Sequence, residues 1–210
     1  MTIVSLKSVL CGRSEEEARN DLEKFEQLLR KWAPAQNLIS HADLAQLKTR
    51  HIMNSWQICP YLAADAGIID LGAGAGFPGL VLAILGYKNI TLLEKNHKKC
   101  MFLKEVITQL SLKDVSVFSG RVEDFDFNAP AHVDGTIVSR GFAALETIFD
   151  RTESAWHPKR RGVFFKGQSV QTEIAAAEKN FVFQSQIFPD ASLETGCLLE
   201  ISHLSKRVAS

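Results

Sequence analysis

Residues 66 to 94 read AGIIDLGAGAGFPGLVLAILGYKNITLLE, and no other stretch constrains the fold as tightly. Ile68-Ile69-Asp70-Leu71 is a short apolar run with an acid near its end. Gly72-Ala73-Gly74-Ala75-Gly76 follows, then Phe77-Pro78 and an apolar run from Gly79 to Leu85. Asn89 to Leu93 is a second strand-like run, and it ends in Glu94. Strand, glycine turn, helix, strand and acid in this order make half of a nucleotide-binding βαβ unit.

Each part has a physical reason. Glycines accept positive φ and let a ligand approach with no Cβ in the way. Pro78 suits the first turn of a helix, where its missing N–H costs nothing. Glu94, at the carboxyl end of the second strand, can accept hydrogen bonds from both hydroxyls of a ribose. Asp70 is placed to reach a ligand directly or to brace the loop. The ligand itself stays open between two cofactors. Gly74 to Gly79 fits G-x-G-x-x-G, the dinucleotide fingerprint, with Glu94 at a suitable distance. As D-L-G-A-G-A-G, the same stretch resembles motif I of the S-adenosylmethionine (SAM) methyltransferases.

The chain has 210 residues, enough for one α/β domain with an extension. Its 46% hydrophobic and 23% charged residues are those of a soluble globular protein. Met1 to Leu10 carries no signal pattern, and no apolar run approaches a membrane span, so a cytoplasmic location without membrane attachment is expected. Cys11, Cys59, Cys100 and Cys197 lie far apart and form no C-x-x-C pair, which argues against a metal centre and for reduced thiols. Formal net charge is zero, which argues against non-specific coating of long nucleic acid. Local runs remain: Lys95, Lys98, Lys99 and Lys104, then Lys159-Arg160-Arg161, each expected as a solvated face.

Ser14 to Glu17 has the form of a capping box, and Ala18, Leu22, Phe25, Leu29 and Trp32 follow at helical spacing. The spacing predicts a helix over about 14–32, broken by Pro34 and Asn37. A second helix follows, with Leu44, Leu47, Ile52 and Trp56 inward and Pro60 at its end. Residues 1–64 thus read as a helical extension packed on an α/β unit of 65–210. Beyond Glu94 come a helix through Phe102 and Leu110, a strand over 114–119, a strand over 135–139 and a helix through Leu145 and Phe149. A strand over 162–167, a helix near 172–179 and two strands near 181–188 and 197–204 complete the chain. Alternation implies a doubly wound, mostly parallel sheet. The last two strands have no helix between them and are expected as an antiparallel C-terminal hairpin.

In such sheets ligands lie at the carboxyl ends of the strands. The residues there are Asp70, Gly72, Gly74, Gly76 and Glu94, then Arg121 with Val122 and Glu123, then Ser139-Arg140, then Lys166. Acids come from the first two strands and bases from the later three. The acids suit a nucleoside cofactor, and the bases suit an anion beside it, such as a phosphate backbone. A dehydrogenase would also need a proton relay, for which His132 is the nearby candidate. Arg121 could instead pair with Glu123, and His51 beside Arg50 reads first as a structural residue.

The pieces together resemble the bacterial small-subunit (16S) ribosomal RNA guanosine-N7 methyltransferases, the glucose-inhibited division protein B family, over roughly 25–204. They are Lys31-Trp32 with Asn37-Leu38, Arg50-His51-Ile52 with Ser55, Asp70 to Gly79, Ser119 to Glu123, Ser139 to Leu145, and Lys166-Gly167. The resemblance implies a class I SAM-dependent methyltransferase with a Rossmann-like fold, an N-terminal helical cap, and transfer from SAM to N7 of one guanosine in small-subunit ribosomal RNA. It implies that Asp70, Gly72, Gly74, Gly76, Phe77, Glu94, Val122, Glu123 and Arg140 serve the cofactor. Arg121, Arg140 and Lys166 would position the RNA, with no general base and no metal, in a monomer acting on RNA or a ribosomal subunit. Three departures stand out: Asn54 where the family often has Asp, Gly141 in place of the usual Ala, and Glu194-Thr195-Gly196-Cys197 where the family often has an Arg-His pair. Other readings are a SAM methyltransferase for a small molecule or protein, a nicotinamide-dependent oxidoreductase, and a non-catalytic RNA-binding module.

Overall fold

A computed structural model describes residues 4–36, 38–63, 66–189 and 196–207. Asn37, the 64/65 boundary and Glu194-Thr195 lie outside the described residues. Strands β1 (Ile68–Leu71), β2 (Ile90–Glu94), β3 (Val115–Ser119), β4 (Thr136–Arg140) and β5 (Arg161–Lys166) are mutually parallel. Strands β6 (Phe181–Pro189) and β7 (Cys197–Lys206) pair antiparallel, and β7 also pairs antiparallel with β5. Among the described residues the sheet order is β3-β2-β1-β4-β5-β7-β6. The order reverses between β1 and β4, and such a switch point opens a crevice at the carboxyl edge. The sequence's strand–helix alternation and closing hairpin are thus present.

The helices are α1 (Leu6–Val9), α2 (Glu15–Gln36), α3 (His41–Ala45), α4 (Gly79–Ile84), α5 (His97–Gln109), α6 (Leu145–Arg151) and α7 (Val170–Ala177). Ser14 caps α2 as the sequence suggests: Glu17 N donates to Ser14 Oγ at 3.2 Å, and Ser14 N donates to Glu17 Oε2 at 3.0 Å. Pro34 does not end α2, which continues to Gln36. Pro34 removes one donor in the last turn only, and buried Leu29 and Ala33 hold that turn on the core.

The expected second helix is not continuous. It divides into α3, a π-helical turn over Leu47–Met53 and a 3-10 turn over Trp56–Tyr61. The step from Leu47 to Ile52 is five residues, wider than an α-helical turn. The wider π turn brings both side chains inward, and both are buried. Leu47, Ile52 and Trp56 share one apolar cluster with Phe25, Leu29, Phe77, Leu80 and Leu92. The N-terminal helices therefore pack directly on the helix that follows the glycine turn. A second cluster, built on Ile69, Leu93, Ile137, Phe164 and Leu199, fills the other face of the sheet. Cys11, Cys59 and Cys100 form no disulfide, and Cys59, Cys100 and Cys197 are buried.

Candidate active site

Two cavities lie side by side at the carboxyl edge. The first, about 370 Å³, is lined by Gly72 after β1, Glu94 and Lys95 at the end of β2, Arg121 to Glu123 after β3, and Gly141 to Ala143 after β4. Lys99 and Arg151 complete its rim. The second, about 530 Å³, lies at the ends of β4 and β5 and is lined by Ser139, Phe165, Lys166, Gly167, Ser169 and Glu173. Gly141, Phe142 and Ala143 line both, so this loop is a shared wall.

The glycine turn is built by backbone N–H groups and two acids. Asp70 is fully buried, and its Oδ2 accepts from Gly79 N at 2.9 Å. It therefore braces the start of α4, one of the two roles its place on β1 allows, and does not line the first cavity. Burial pushes its carboxyl up to about 7. Glu94 Oε2 accepts from Gly74 N at 3.0 Å, and Oε1 accepts from Asn96 N at 2.8 Å. A carboxylate offers about four lone pairs, so each oxygen can still accept a ribose hydroxyl.

Gly72 has φ +67, and a Cβ there would meet Phe142 Cδ2 at 2.4 Å. The Phe142 ring thus lies directly against the turn, a close approach that only glycine permits. Gly74 serves through its N–H. Gly74, Gly76 and Phe77 are not among the residues lining the cavity. Phe77 is buried toward the N-terminal helices, with its ring 5.4 Å from Phe25 and 5.2 Å from His51. The physical reason is that Phe77 precedes α4, whose apolar face supplies the core.

Val122 is buried and Glu123 more open, and both line the first cavity as expected. Arg121 is 68% exposed at its side chain and lies 3.4 Å from Glu123 Oε1. Arg151 lies 3.5 Å from the same oxygen and stacks over Phe142 at 5.5 Å. These neighbours hold Glu123 below the usual carboxylate range, its own backbone hydrogen bond being the largest cause. Arg151 escaped the sequence reading, Lys99 was read as a solvated charge and Phe142 only as part of the Ser139 to Leu145 motif, because no local pattern marks a loop or helix residue that reaches the edge from one element away.

Arg140, at the end of β4, reaches into the N-terminal helices. Its Nη1 donates to Arg50 O at 3.2 Å and to Asn54 Oδ1 at 3.3 Å, and Nη2 donates to His51 Nδ1. Its guanidinium lies 4.8 Å from the Phe77 ring centroid. An arginine can only donate, so His51 Nδ1 accepts and a neutral ring carries its proton on Nε2. Nε2 lies 3.2 Å from Asp43 Oδ1. Burial, and next the Arg140 charge, depress the His51 pKa. Arg140 lines neither cavity and braces the two halves of the chain against each other. Asn54 stands where a charged Asp was expected, and it is a buried neutral acceptor for Arg140.

Lys166 is also more tied than expected. Its Nζ donates to Glu173 Oε2 at 2.7 Å and to Ala143 O at 2.9 Å, and its side chain is 6% exposed. It is neither a solvated strand end nor an open phosphate contact. The three bases therefore do not converge: Arg121 sits on the first cavity, Lys166 on the second, and Arg140 behind them. His132 lines neither cavity and lies before β4, at the opposite edge, so the relay that an oxidoreductase needs is not in place.

The first cavity fits a SAM-sized nucleoside cofactor. Its volume falls in the usual range for ligand sites. The Gly72 turn admits close approach, Glu94 keeps acceptor capacity, and Val122 offers an apolar surface for a base. Among the described residues no cluster of three or more His, Cys, Asp or Glu could hold a metal ion. No helix among them is long and apolar enough to cross a membrane.

Known proteins agree with this architecture. The chain is similar to a protein in the NADB-Rossmann superfamily from Streptococcus agalactiae, with TM-score 0.55 and 14% identity over 74% of this chain and 70% of that one. It is similar to a mutant of MtNAS in complex with S-adenosylmethionine, with TM-score 0.56 and 12% identity over 89% of this chain and 76% of that one. At such identities the likeness is one of fold. Sequence relatives are nearer. The ribosomal RNA small subunit methyltransferase G of Rickettsia prowazekii is 32% identical over 186 residues, 88% of this chain and 94% of that protein. That of Parvibaculum lavamentivorans is 35% identical over 195 residues, 90% and 84% of the two chains. A model of the GidB family, rRNA small subunit methyltransferase G, matches residues 18–193, a span that includes both cavities, and the chain belongs to that family.

Proposed function

We infer that the protein transfers a methyl group from SAM to N7 of a guanosine in small-subunit ribosomal RNA. The family match across 18–193 carries the reading, because every residue lining the two adjoining cavities falls inside it. When bound, SAM supplies an electrophilic methyl group on its sulfonium.

The chain's own residues do the rest by positioning. Gly72, Glu94, Val122 and Glu123 line the cofactor cavity, and Gly74 N and Asp70 fix its floor. Guanine N7 has a free lone pair at neutral pH, so no general base is required. The substrate cavity must therefore orient the base and exclude water, and orientation alone can supply several kcal/mol of barrier reduction. A base inside folded RNA has to be turned out or already unstacked to enter. Arg121, the exposed Lys95 and the half-buried Lys99 rim the first cavity, where phosphates would pass. The reading extends to a cytoplasmic monomer that acts on RNA or a ribosomal subunit, without metal.

Tritiated SAM with naked small-subunit RNA or isolated small subunits tests the reading, followed by mapping of N7-methylguanosine. The expected result is label at one guanosine. Firm SAM binding with no label in either substrate would sink it, and calorimetry with NAD beside SAM would show which cofactor binds.

A further inference from the structure

The second cavity contains a half-buried ion pair that the chemistry above does not use. Glu173 reaches it from the first turn of α7, and Lys166 from the end of β5. Lys166 Nζ has three donors, of which Glu173 Oε2 and Ala143 O take two. Glu173 Oε2 also accepts from Leu145 N at 3.0 Å, so its two lone pairs are filled. Glu173 Oε1 accepts from Ser169 Oγ at 2.9 Å and keeps one. Hydrogen bonds to Lys166, to Ser169 and to Leu145 N oppose burial and hold the Glu173 carboxyl below its ordinary range. The cavity wall thus shows one donor beside one acceptor, both fixed by the protein.

That pair matches one base edge. Guanine presents O6, an acceptor, next to N1–H, a donor. Adenine presents the opposite polarity, an amino donor next to an N1 acceptor. We propose that the Lys166–Glu173 pair is the guanine reader of this enzyme, with Lys166 donating to O6 and Glu173 Oε1 accepting from N1–H. An adenine placed there would oppose donor to donor and acceptor to acceptor. Phe142 and Phe165 line the same cavity and give the ring an apolar surface. The wall shared with the cofactor cavity places a base held in this way next to the methyl donor's site.

The assignment rests on the proposed function, and its test separates the two. Affinities of wild type and Glu173→Gln are measured for small-subunit RNA with guanosine, inosine or adenosine at the methylated position, with S-adenosylhomocysteine bound. In Glu173→Gln the amide oxygen is held by Lys166 and Leu145 N, which turns the NH2 toward the base. Wild type is expected to prefer guanosine and inosine over adenosine by at least about tenfold, the size of one hydrogen bond to a charged group. In Glu173→Gln that preference is expected to fall to about one or to invert. Ser169→Ala, which touches only Oε1, should reduce it by less. Thermal melting and SAM affinity check that both variants are folded.

A wild type without preference, or variants that weaken all three RNAs equally, would overturn the assignment and leave the methyl transfer standing. If wild type labels no RNA guanosine, the proposed function fails and the assignment fails with it.

Discussion

Arg140 and Arg160 occupy opposite ends of the sheet and are satisfied in different ways. Arg160 precedes β5 at the amino edge and is 1% exposed. It donates to His132 O, Gly135 O and Phe127 O, each at 2.8 Å, and to Ala155 O at 3.2 Å. Each is a backbone carbonyl from a turn near that edge. Arg140 sits at the carboxyl edge, and its acceptors include the Arg50 carbonyl and two side chains, Asn54 and His51, from the N-terminal helices. Carbonyls on fixed turns make a permanent staple. Side-chain acceptors, one of which can titrate, make a brace whose strength depends on conditions. One end of the sheet is closed structure, and the other end is held for work.

The comparison can be broken most sharply at Arg160. Arg160→Met removes the guanidinium donor from the buried Phe127 O, Gly135 O and Ala155 O, while His132 O keeps Gly135 N, and is expected to cost about 3–5 kcal/mol of unfolding free energy, read by urea denaturation. The methyl-transfer rate per folded molecule should stay near wild type. A loss below about 1 kcal/mol would mean that the guanidinium is not a staple.

Arg140→Ala should reverse the pattern. We expect methyl transfer to RNA to fall by on the order of a hundredfold, as the wall behind the site shifts, with stability falling by no more than about 2 kcal/mol. Single-turnover kinetics beside a melting curve would show it. Equal loss in both assays would erase the distinction between the two arginines.

A third effect is the pH dependence of stability. His51 has its pKa below the ordinary 6.5, first through burial and then through the charge of Arg140. The native ring stays neutral where the unfolded chain has bound a proton. Its contribution is therefore whole above pH 6.5 and is lost as the pH falls below that value. Asp70 has the opposite sign. Its carboxyl is raised from 3.8 to about 7, so the native state keeps a proton that the unfolded chain has released. That contribution is whole below pH 3.8 and is lost as the pH rises toward about 7. Urea midpoints between pH 4 and 8 should become flatter on the acid side in His51→Gln and flatter toward neutral pH in Asp70→Asn. Unchanged slopes in both variants would contradict the assignment of these groups.

The smallest effect concerns the shared wall. Gly141 has φ +65 and open space where a Cβ would lie. Gly141→Ala meets no clash but takes a left-handed conformation at a cost of about 1 kcal/mol. A stabilised variant, measured by melting, would show that the loop relaxes freely.

Much of this was legible in the residues. The glycine turn, β1, β2 and the strand–helix alternation followed from local patterns. Val122 and Glu123 followed from their place after a strand, since carboxyl-edge residues must line the crevice. The side-chain assignments were less legible. Lys159-Arg160-Arg161 reads as a solvated run, yet Arg160 is buried and Arg161 pairs with Glu200. Nothing near Arg160 in sequence announces carbonyl acceptors as distant as Phe127, 33 residues away. The π turn at Leu47–Met53 was written in the spacing of Leu47 and Ile52, but the α-helical period hid it.

The sequence by itself determined the class of fold and the place of the first cavity at the carboxyl edge, because glycine conformations, strand ends and capping boxes depend on neighbours a few residues away. Tertiary structure decided what each charged side chain does. Arg140 finds Arg50 O across 90 residues, and Lys166 finds Ala143 O across 23. A buried charge takes its role from whichever acceptors surround it, and those acceptors come together only when the chain has folded.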